Sequence, residues 1–279
     1  MARGVSESGH GIPAEIGDAI RSLDVAGRPL CIHASMRSFT PRIDADALLG
    51  AFLDAGASVL VPTFTYEMSQ PPPDDDRPER TGVAYAPYSD GVASDASFST
   101  TDDVLSLADM GQFPRAVLAR EGRIRGRHPL NSFTAVGPLA PDLIAGQTPD
   151  DVYAPLDSLG ANDGIVLLIG VTYTSMTLIH LAETRAGRRL FRRWARLDGK
   201  LTASSVGSCS AGFRKFEPVL DPMAVKMTVC GSLWRALPSV EALMTATGVI
   251  HRDPPMTHCE RDSCARCPDA IAGGPILYA

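Results

Sequence analysis

The order of elements near the start restricts this chain most: strand, helix, strand. Pro29-Leu30-Cys31-Ile32-His33 reads as a short strand, and a turn-like ASMRSF stretch follows. Thr40-Pro41 reads as a helix opening, with Thr as the cap and Pro in the first turn. Ile43, Ala47, Leu48, Ala51, Phe52 and Ala55 then share one helical face, and Val59-Leu60-Val61 is a second strand ending at Pro62-Thr63. A helix joining two strands of one sheet makes them parallel and lies on the sheet face, so an α/β fold is expected. The pattern returns at 165–169, an unbroken apolar run that closes on Gly170 and leads into a helix over 175–186.

The rest of the chain fits around this frame. Residues 1–12 read as loose, and 11–25 as a first amphipathic helix. Further helices are expected over 109–120, where Met110, Phe113, Val117 and Leu118 are apolar, and over 239–247, after Pro238. FRRWARL at 191–197 and the segment 226–229 read as strands of the same or an added sheet. Residues 66–105, with PPPDDD at 71–76, read as a long irregular excursion, a lid or substrate rim. At 279 residues the chain is long enough to bury a core as one domain, without help from disulfides.

Composition removes several classes of function. The formal charge of −6 and the lack of a continuous basic footprint argue against nucleic acid as a partner. Two local patches, Arg123/Arg125/Arg127/His128 and Arg185/Arg188/Arg189/Arg192/Arg193/Arg196, are the size a polyphosphate-bearing cofactor needs. No apolar run reaches the roughly 18–20 residues of a membrane span, and the first residues lack the order of a secretory signal. Six cysteines do not make a disulfide framework, so a cytoplasmic setting is expected.

One spacing carries chemistry. Thr177, His180 and Glu183 stand at i, i+3 and i+6 on the helix after strand 165–169, forming a ridge on one side. A carboxylate beside an imidazole stabilises its protonated form and fixes its tautomer, as a general base near neutral pH requires. A plain surface or core pair has the same spacing. The chain has no G-x-S-x-G elbow, no H-E-x-x-H and no Rossmann fingerprint.

The cysteines offer a second chemistry. Cys259, Cys264 and Cys267 stand at C-x4-C-x2-C inside a Cys-rich segment at 251–269. With a further ligand from His258, His251, Cys209 or Cys230 they could hold a structural zinc; redox-active or simply buried thiols are the alternative. Cys31, two residues from His33 on the same strand face, could be a thiol nucleophile but reads as a core residue.

Four segments resemble the aminoglycoside N3-acetyltransferase family, antibiotic-resistance N-acetyltransferases unrelated to the GNAT fold. They are HASMRSF at 33–39, VLVPTFT at 59–65, RHPLNSFTAVGPLA at 127–140 and LLIGVTYTSMTLIHLAE at 167–183. The resemblance implies a three-layer α/β/α sandwich with a mainly parallel sheet, forming a single acyltransferase domain over 1–279. It implies direct transfer of acetyl from acetyl-CoA to an amine of an aminoglycoside or other small molecule. His180 would be the base, supported by Glu183, with Thr177 near the thioester. His33, Ser35, Met36, Arg37 and Ser38 would surround the pantetheine arm and phosphates, and His128 and Ser132 would line the cleft. A monomer or homodimer is expected.

Where family members often read Gly-His-Asp-Ser-Asn-Thr, this chain has Thr172-Tyr173-Thr174-Ser175-Met176-Thr177, which points to a less polar or remade acceptor site. Asp74, Asp75, Asp76, Asp95, Asp102 and Asp103 still suit a cationic substrate. A non-catalytic CoA- or ligand-binding homologue and a zinc-dependent hydrolase are the alternatives.

Overall fold

The computed structural model describes residues 12–83 and 95–272. The loose stretch expected at the start lies outside them but for its last residue, as does the middle of the 66–105 excursion. Helix α1 (Ala14–Ser22) leads into β1 (Pro29–Ala34), and α2 (Ala45–Asp54) crosses back to β2 (Ser58–Pro62). Leu30 and Ile32 of β1 share a core with Val59 and Val61 of β2, whereas Cys31 and Leu60 enter a second core. Side chains alternate across a strand, so the two cores lie on opposite faces of one sheet.

The chain continues through β3 (Ser69–Gln70), β4 (Ser97–Phe98), α3 (Leu107–Met110), α4 (Gln112–Ala119), β5 (Ile124–Arg125) and β6 (Phe133–Val136). Helices α5 (Ala140–Ile144) and α6 (Ala154–Ala161) precede β7 (Ile165–Ile169), which feeds α7 (Leu178–Arg185). Strands β8 (Phe191–Leu197) and β9 (Lys200–Val206), α8 (Glu217–Leu220), β10 (Val225–Val229), β11 (Ser232–Pro238), α9 (Ser239–Arg252) and α10 (Arg266–Ile271) complete it.

The main sheet has seven strands in the order β10-β11-β7-β1-β2-β6-β5. Only β7-β1-β2 pair in parallel; the flanking pairings are antiparallel. The sheet expected to be mainly parallel is therefore mixed. Its flanks escape the crossover rule because β10–β11 and β5–β6 are sequence neighbours, and antiparallel strands need only a short connection. Cys230 and Gly231, both with positive φ, make the two-residue turn of the first hairpin. Buried residues of α1, α2 and α4 pack in the core holding Leu30; those of α5, α6, α7 and α9 pack in the core holding Cys31. Each fully buried Leu or Phe contributes roughly 1.5–3 kcal/mol.

Several boundaries differ from the sequence reading. Helix α2 opens at Ala45 rather than at Thr40-Pro41, because the Asp44 carboxylate accepts from the Ala47 N–H at 3.0 Å. The helix expected over 109–120 is broken at Gly111, whose φ is +81°. Helix α9 runs on to Arg252, and a 3-10 turn at Tyr173–Ser175 delays α7 to Leu178. FRRWARL forms β8 of a separate sheet, paired with β9 over seven residues and with β3 and β4, whereas 226–229 belongs to the main sheet as β10. The excursion is thus tied down at both ends, and Asp76 also accepts from the Arg192 guanidinium at 2.7 and 3.0 Å.

Gly137 closes β6 with φ +109°, and a Cβ there would stand 2.8 Å from Ser58 Cα and 2.9 Å from the Ala57 carbonyl. Backbone cannot yield as a side-chain tip can. Gly137→Ala should therefore destabilise the protein by about 1–3 kcal/mol, read as a lower urea midpoint at unchanged m value.

Candidate active site

The loops leaving the carboxyl ends of β1 and β7 meet at one end of the parallel core, where ligand crevices form in open α/β sheets. The Ser35 N–H donates to the Ile169 carbonyl at 2.9 Å, and the Ser38 hydroxyl donates to the Ser35 carbonyl at 2.7 Å and lies 2.7 Å from Ser232 Oγ. Thr177 precedes α7 at this end, its carbonyl accepting from the His180 N–H at 2.9 Å and its hydroxyl not capping the helix.

One helical turn brings His180 and Glu183 together. His180 Nδ1 lies 2.8 Å from Glu183 Oε2, so Nδ1–H donates to the carboxylate and Nε2 is left to accept a proton. Arg188 donates to Glu183 Oε1 at 2.6 Å and Ser208 Oγ to Oε2 at 3.3 Å. Arg188 in turn donates to Thr257 Oγ1 and to the Pro254 carbonyl. The side chains of Glu183 and Arg188 are 4% and 8% exposed, so each supplies the counter-charge that the other's burial demands. The His180 ring stacks on Tyr153 at 6.0 Å between centroids and meets the Phe213 ring edge-on at 4.6 Å. Gly207 lies against a third side: a Cβ there would sit 2.8 Å from His180 Cγ and 2.3 Å from the Tyr153 oxygen.

Two clefts share this imidazole. The first, about 280 Å³, is lined by His33, Thr174, Ser175, Met176 and Thr177, with Phe64 and Phe213 among its apolar walls. The second, about 550 Å³, is lined by Asn131, Tyr153, Arg193, Ser208 and Cys209. His180, Phe64, Tyr66, Asp109 and Ser210 line both.

The other sequence candidates divide. His33 is buried at the first cleft, and burial lowers its imidazole to about 4. Ser35, Met36, Arg37 and Ser38 line neither cleft: the serines tie their turn to β7 and β11, Met36 packs toward the core on the opposite sheet face, and Arg37 is exposed. His128 is fully buried. Its Nδ1 accepts from the Leu130 and Asn131 N–H groups at 3.2 and 2.8 Å, and Nε2–H donates to the Ser205 carbonyl at 2.9 Å. Ser132 donates to the Thr63 carbonyl at 2.9 Å and accepts from Arg125 at 3.0 Å. These two hold the 127–133 segment together from behind the clefts. Burial pushes the Cys31 thiol up to about 12, as befits a core residue.

Of the acidic residues, Asp74 and Asp103 pair with Arg77 and Arg123 at 2.5 and 2.6 Å, and Asp102 accepts from the Ser99 N–H. Asp75 and Asp95 are exposed. Among the described residues, the carboxylate that lines the clefts is Asp109, outside the group chosen from the sequence. In the basic patches, Arg125 is spent on the Thr63, Asp102 and Val104 carbonyls and Arg185 on Asp157.

The model of the aminoglycoside 3-N-acetyltransferase family matches residues 31–220, most of the chain and every strand that frames the clefts. The chain belongs to this family. Aminoglycoside N(3)-acetyltransferase VIII of Streptomyces fradiae is 30% identical over 216 residues, spanning 67% of this chain and 73% of that protein. Aminoglycoside N(3)-acetyltransferase IX of Micromonospora chalcea is 33% identical over 144 residues, 44% of this chain and 51% of its own length. The aminoglycoside acetyltransferase AAC(3)-IVa apoenzyme shares the fold at TM-score 0.71 and 23% identity, covering 93% of this chain and 96% of its own. The YokD protein from Bacillus subtilis does so at TM-score 0.73 and 19% identity, covering 86% and 93%.

Within the family match, the sequence reading missed Tyr153, Arg188, Gly207, Ser208 and Phe213 around His180. Arg188 follows Glu183 by five residues, a weak hint of an ion pair; the others come from distant loops and carry no local signal.

Burial lowers both His33 and His128 to about 4, against 6.5 for an unperturbed imidazole. Between those values the unfolded chain holds more protons than the folded one, so stability falls as pH falls through that window. Thermal melts from pH 7 to 4 should show this slope, and His128→Asn should reduce proton uptake on unfolding by up to one. An unchanged slope in the variant would contradict the assignment.

Proposed function

We propose that this protein moves an acetyl group from acetyl-CoA directly to an amine of an aminoglycoside or related amine-bearing small molecule, with His180 as general base on an α/β/α sandwich scaffold. The observation that carries this reading is the imidazole at the shared wall of two clefts, with Nδ1 committed to Glu183 and Nε2 free to take a proton. The first cleft, walled by Phe64, Met176 and Phe213 beside Thr177, suits an apolar pantetheine arm and its thioester. The second admits the acceptor, and Asp109 at the junction supplies a carboxylate for a second ammonium.

Each residue then has a step. A protonated amine is no nucleophile, so His180 Nε2 accepts its proton as the nitrogen attacks the thioester carbonyl. Glu183, held by Arg188 and Ser208, keeps the ring in the required tautomer and balances the imidazolium. The Thr177 hydroxyl, on the wall of the first cleft, donates to the carbonyl oxygen as negative charge develops there. The imidazolium returns the proton to the departing thiolate, so no acyl-enzyme is needed. Thr174 and Met176, where the chain departs from the family pattern, line the first cleft and not the second. That departure therefore reshapes the thioester side and leaves room for an aminoglycoside.

Incubation with acetyl-CoA and a panel of aminoglycosides and simple amines, followed by mass spectrometry, should give one product heavier by a single acetyl group. Stabilisation of the protein by acetyl-CoA without transfer to any amine would favour the non-catalytic binding homologue instead. His180→Ala should lower kcat by roughly 10²–10⁴-fold while acetyl-CoA still raises Tm. Gly207→Ala should lower kcat with a smaller change in KM for acetyl-CoA, because it displaces the ring while the new methyl enters from the second cleft, the only one of the two that Gly207 lines; wild-type kcat would remove Gly207 from any positioning role.

A further inference from the structure

The four sulfurs of Cys209, Cys259, Cys264 and Cys267 converge on one point, all lying within 4.8 Å of one another. They come from two separate stretches, the loop after β9 and the segment that runs from α9 into the first turn of α10. Zinc held tetrahedrally by thiolates at about 2.3 Å places its sulfurs about 3.8 Å apart. Cys264 and Cys267 stand at 3.6 Å, and all four cysteines are free of disulfides.

We propose that Cys209, Cys259, Cys264 and Cys267 bind one zinc ion, and that this centre fixes the loop behind His180. Two observations separate the cluster from ordinary buried thiols. Cys259 and Cys267 are only 3% exposed, yet neither belongs to any of the three apolar cores, so hydrophobic packing does not explain why they are inside. Backbone N–H groups also point at the sulfurs: Ala211 donates to Cys209, Cys267 to Cys264, and Cys259 to Cys267 at 3.2 Å. Donors arranged in this way suit thiolates, the form that binds metal. Of the other ligands allowed by the sequence, the Cys230 thiol is 3.7 Å from Glu15 Oε2, His251 is exposed, and His258 is not among the converging ligand atoms.

Four thiolates fill a tetrahedron and leave no position for water, so the centre is structural and not that of a hydrolase. Its consequence follows from what it joins. Gly207 and Ser208, directly before Cys209, touch His180 and Glu183. Pro254 and Thr257, five and two residues before Cys259, hold Arg188. Lys215 adds a bond to the His258 carbonyl at 2.7 Å. Both supports of the Glu183 carboxylate, Ser208 and Arg188, thus run into stretches that the metal would clamp together. Three of the four ligands lie beyond the family match at 31–220. The metal site stands independently of acetyl transfer; its effect on His180 rests on that reading.

The test starts with the full-length protein. Plasma mass spectrometry should find one zinc per chain, released when a mercurial titrates the thiols. After removal of zinc, cobalt(II) should give the thiolate charge-transfer and visible bands of a tetrahedral four-sulfur site. A Cys264→Ser/Cys267→Ser variant should lose the metal, and Cys230→Ser should retain it. Less than stoichiometric zinc with no such cobalt spectrum, or a Cys264–Cys267 disulfide in the intact mass with no metal, would overturn the site. Should the double variant fail to fold, the cobalt spectrum of the wild-type protein still decides. Zinc-depleted protein that remains folded should lose at least tenfold in kcat with little change in KM for acetyl-CoA, and zinc should restore it. Unchanged kcat would leave the metal site standing and remove its link to His180.

Discussion

The candidate site depends on a buried charge chain, imidazole to carboxylate to guanidinium. Glu183 sits inside the protein because Arg188 neutralises it there; neither could be buried alone without a penalty of several kcal/mol. With Arg188 on one carboxylate oxygen, the other is aimed at His180 Nδ1, which leaves Nε2 as the ring nitrogen not committed to Glu183. The orientation of the imidazole is therefore a property of the packed interior, and it exists before any substrate arrives. Tyr153, Phe213 and Gly207 close on three sides of the ring, so it has little freedom to turn.

The sheet supplies the place for this chain of charges. In the main sheet only three strands, β7, β1 and β2, pair in parallel, and residues at or just past the carboxyl ends of all three line the first cleft. The antiparallel flanks widen the sheet and complete its cores without contributing to that crevice. The second sheet, built on β8, feeds the loop that carries Gly207 and Ser208 to the back of His180. A local event on α7 thus depends on segments far away in the sequence.

That division explains what could be read in advance. The β1-α2-β2 unit, the strand at 165–169 and the ridge of Thr177, His180 and Glu183 are local patterns, set by alternation and by the helical repeat, and each appears in the structure. The antiparallel flanks were not legible, because pairing direction is decided by partners distant along the chain. For the same reason Tyr153 and Phe213 were missed, whereas Arg188, five residues past Glu183, was read only as part of a basic patch. His128, a histidine before a proline in a family-like segment, has both its nitrogens on backbone groups, a pairing that no local pattern announces. The cysteines fell between the two cases. C-x2-C was visible as a pair, but Cys209 could be selected from the other possible ligands only once the fold brought it beside them.

The most direct measurement is a crystal structure of the protein with an unreactive acetyl-CoA analogue and an aminoglycoside bound together. The thioester position should lie in the first cleft beside Thr177, and one amine nitrogen should stand within hydrogen-bonding distance of His180 Nε2, entering from the second. Either molecule bound away from that ring, or a ring nitrogen other than Nε2 facing the amine, would contradict the role given to His180.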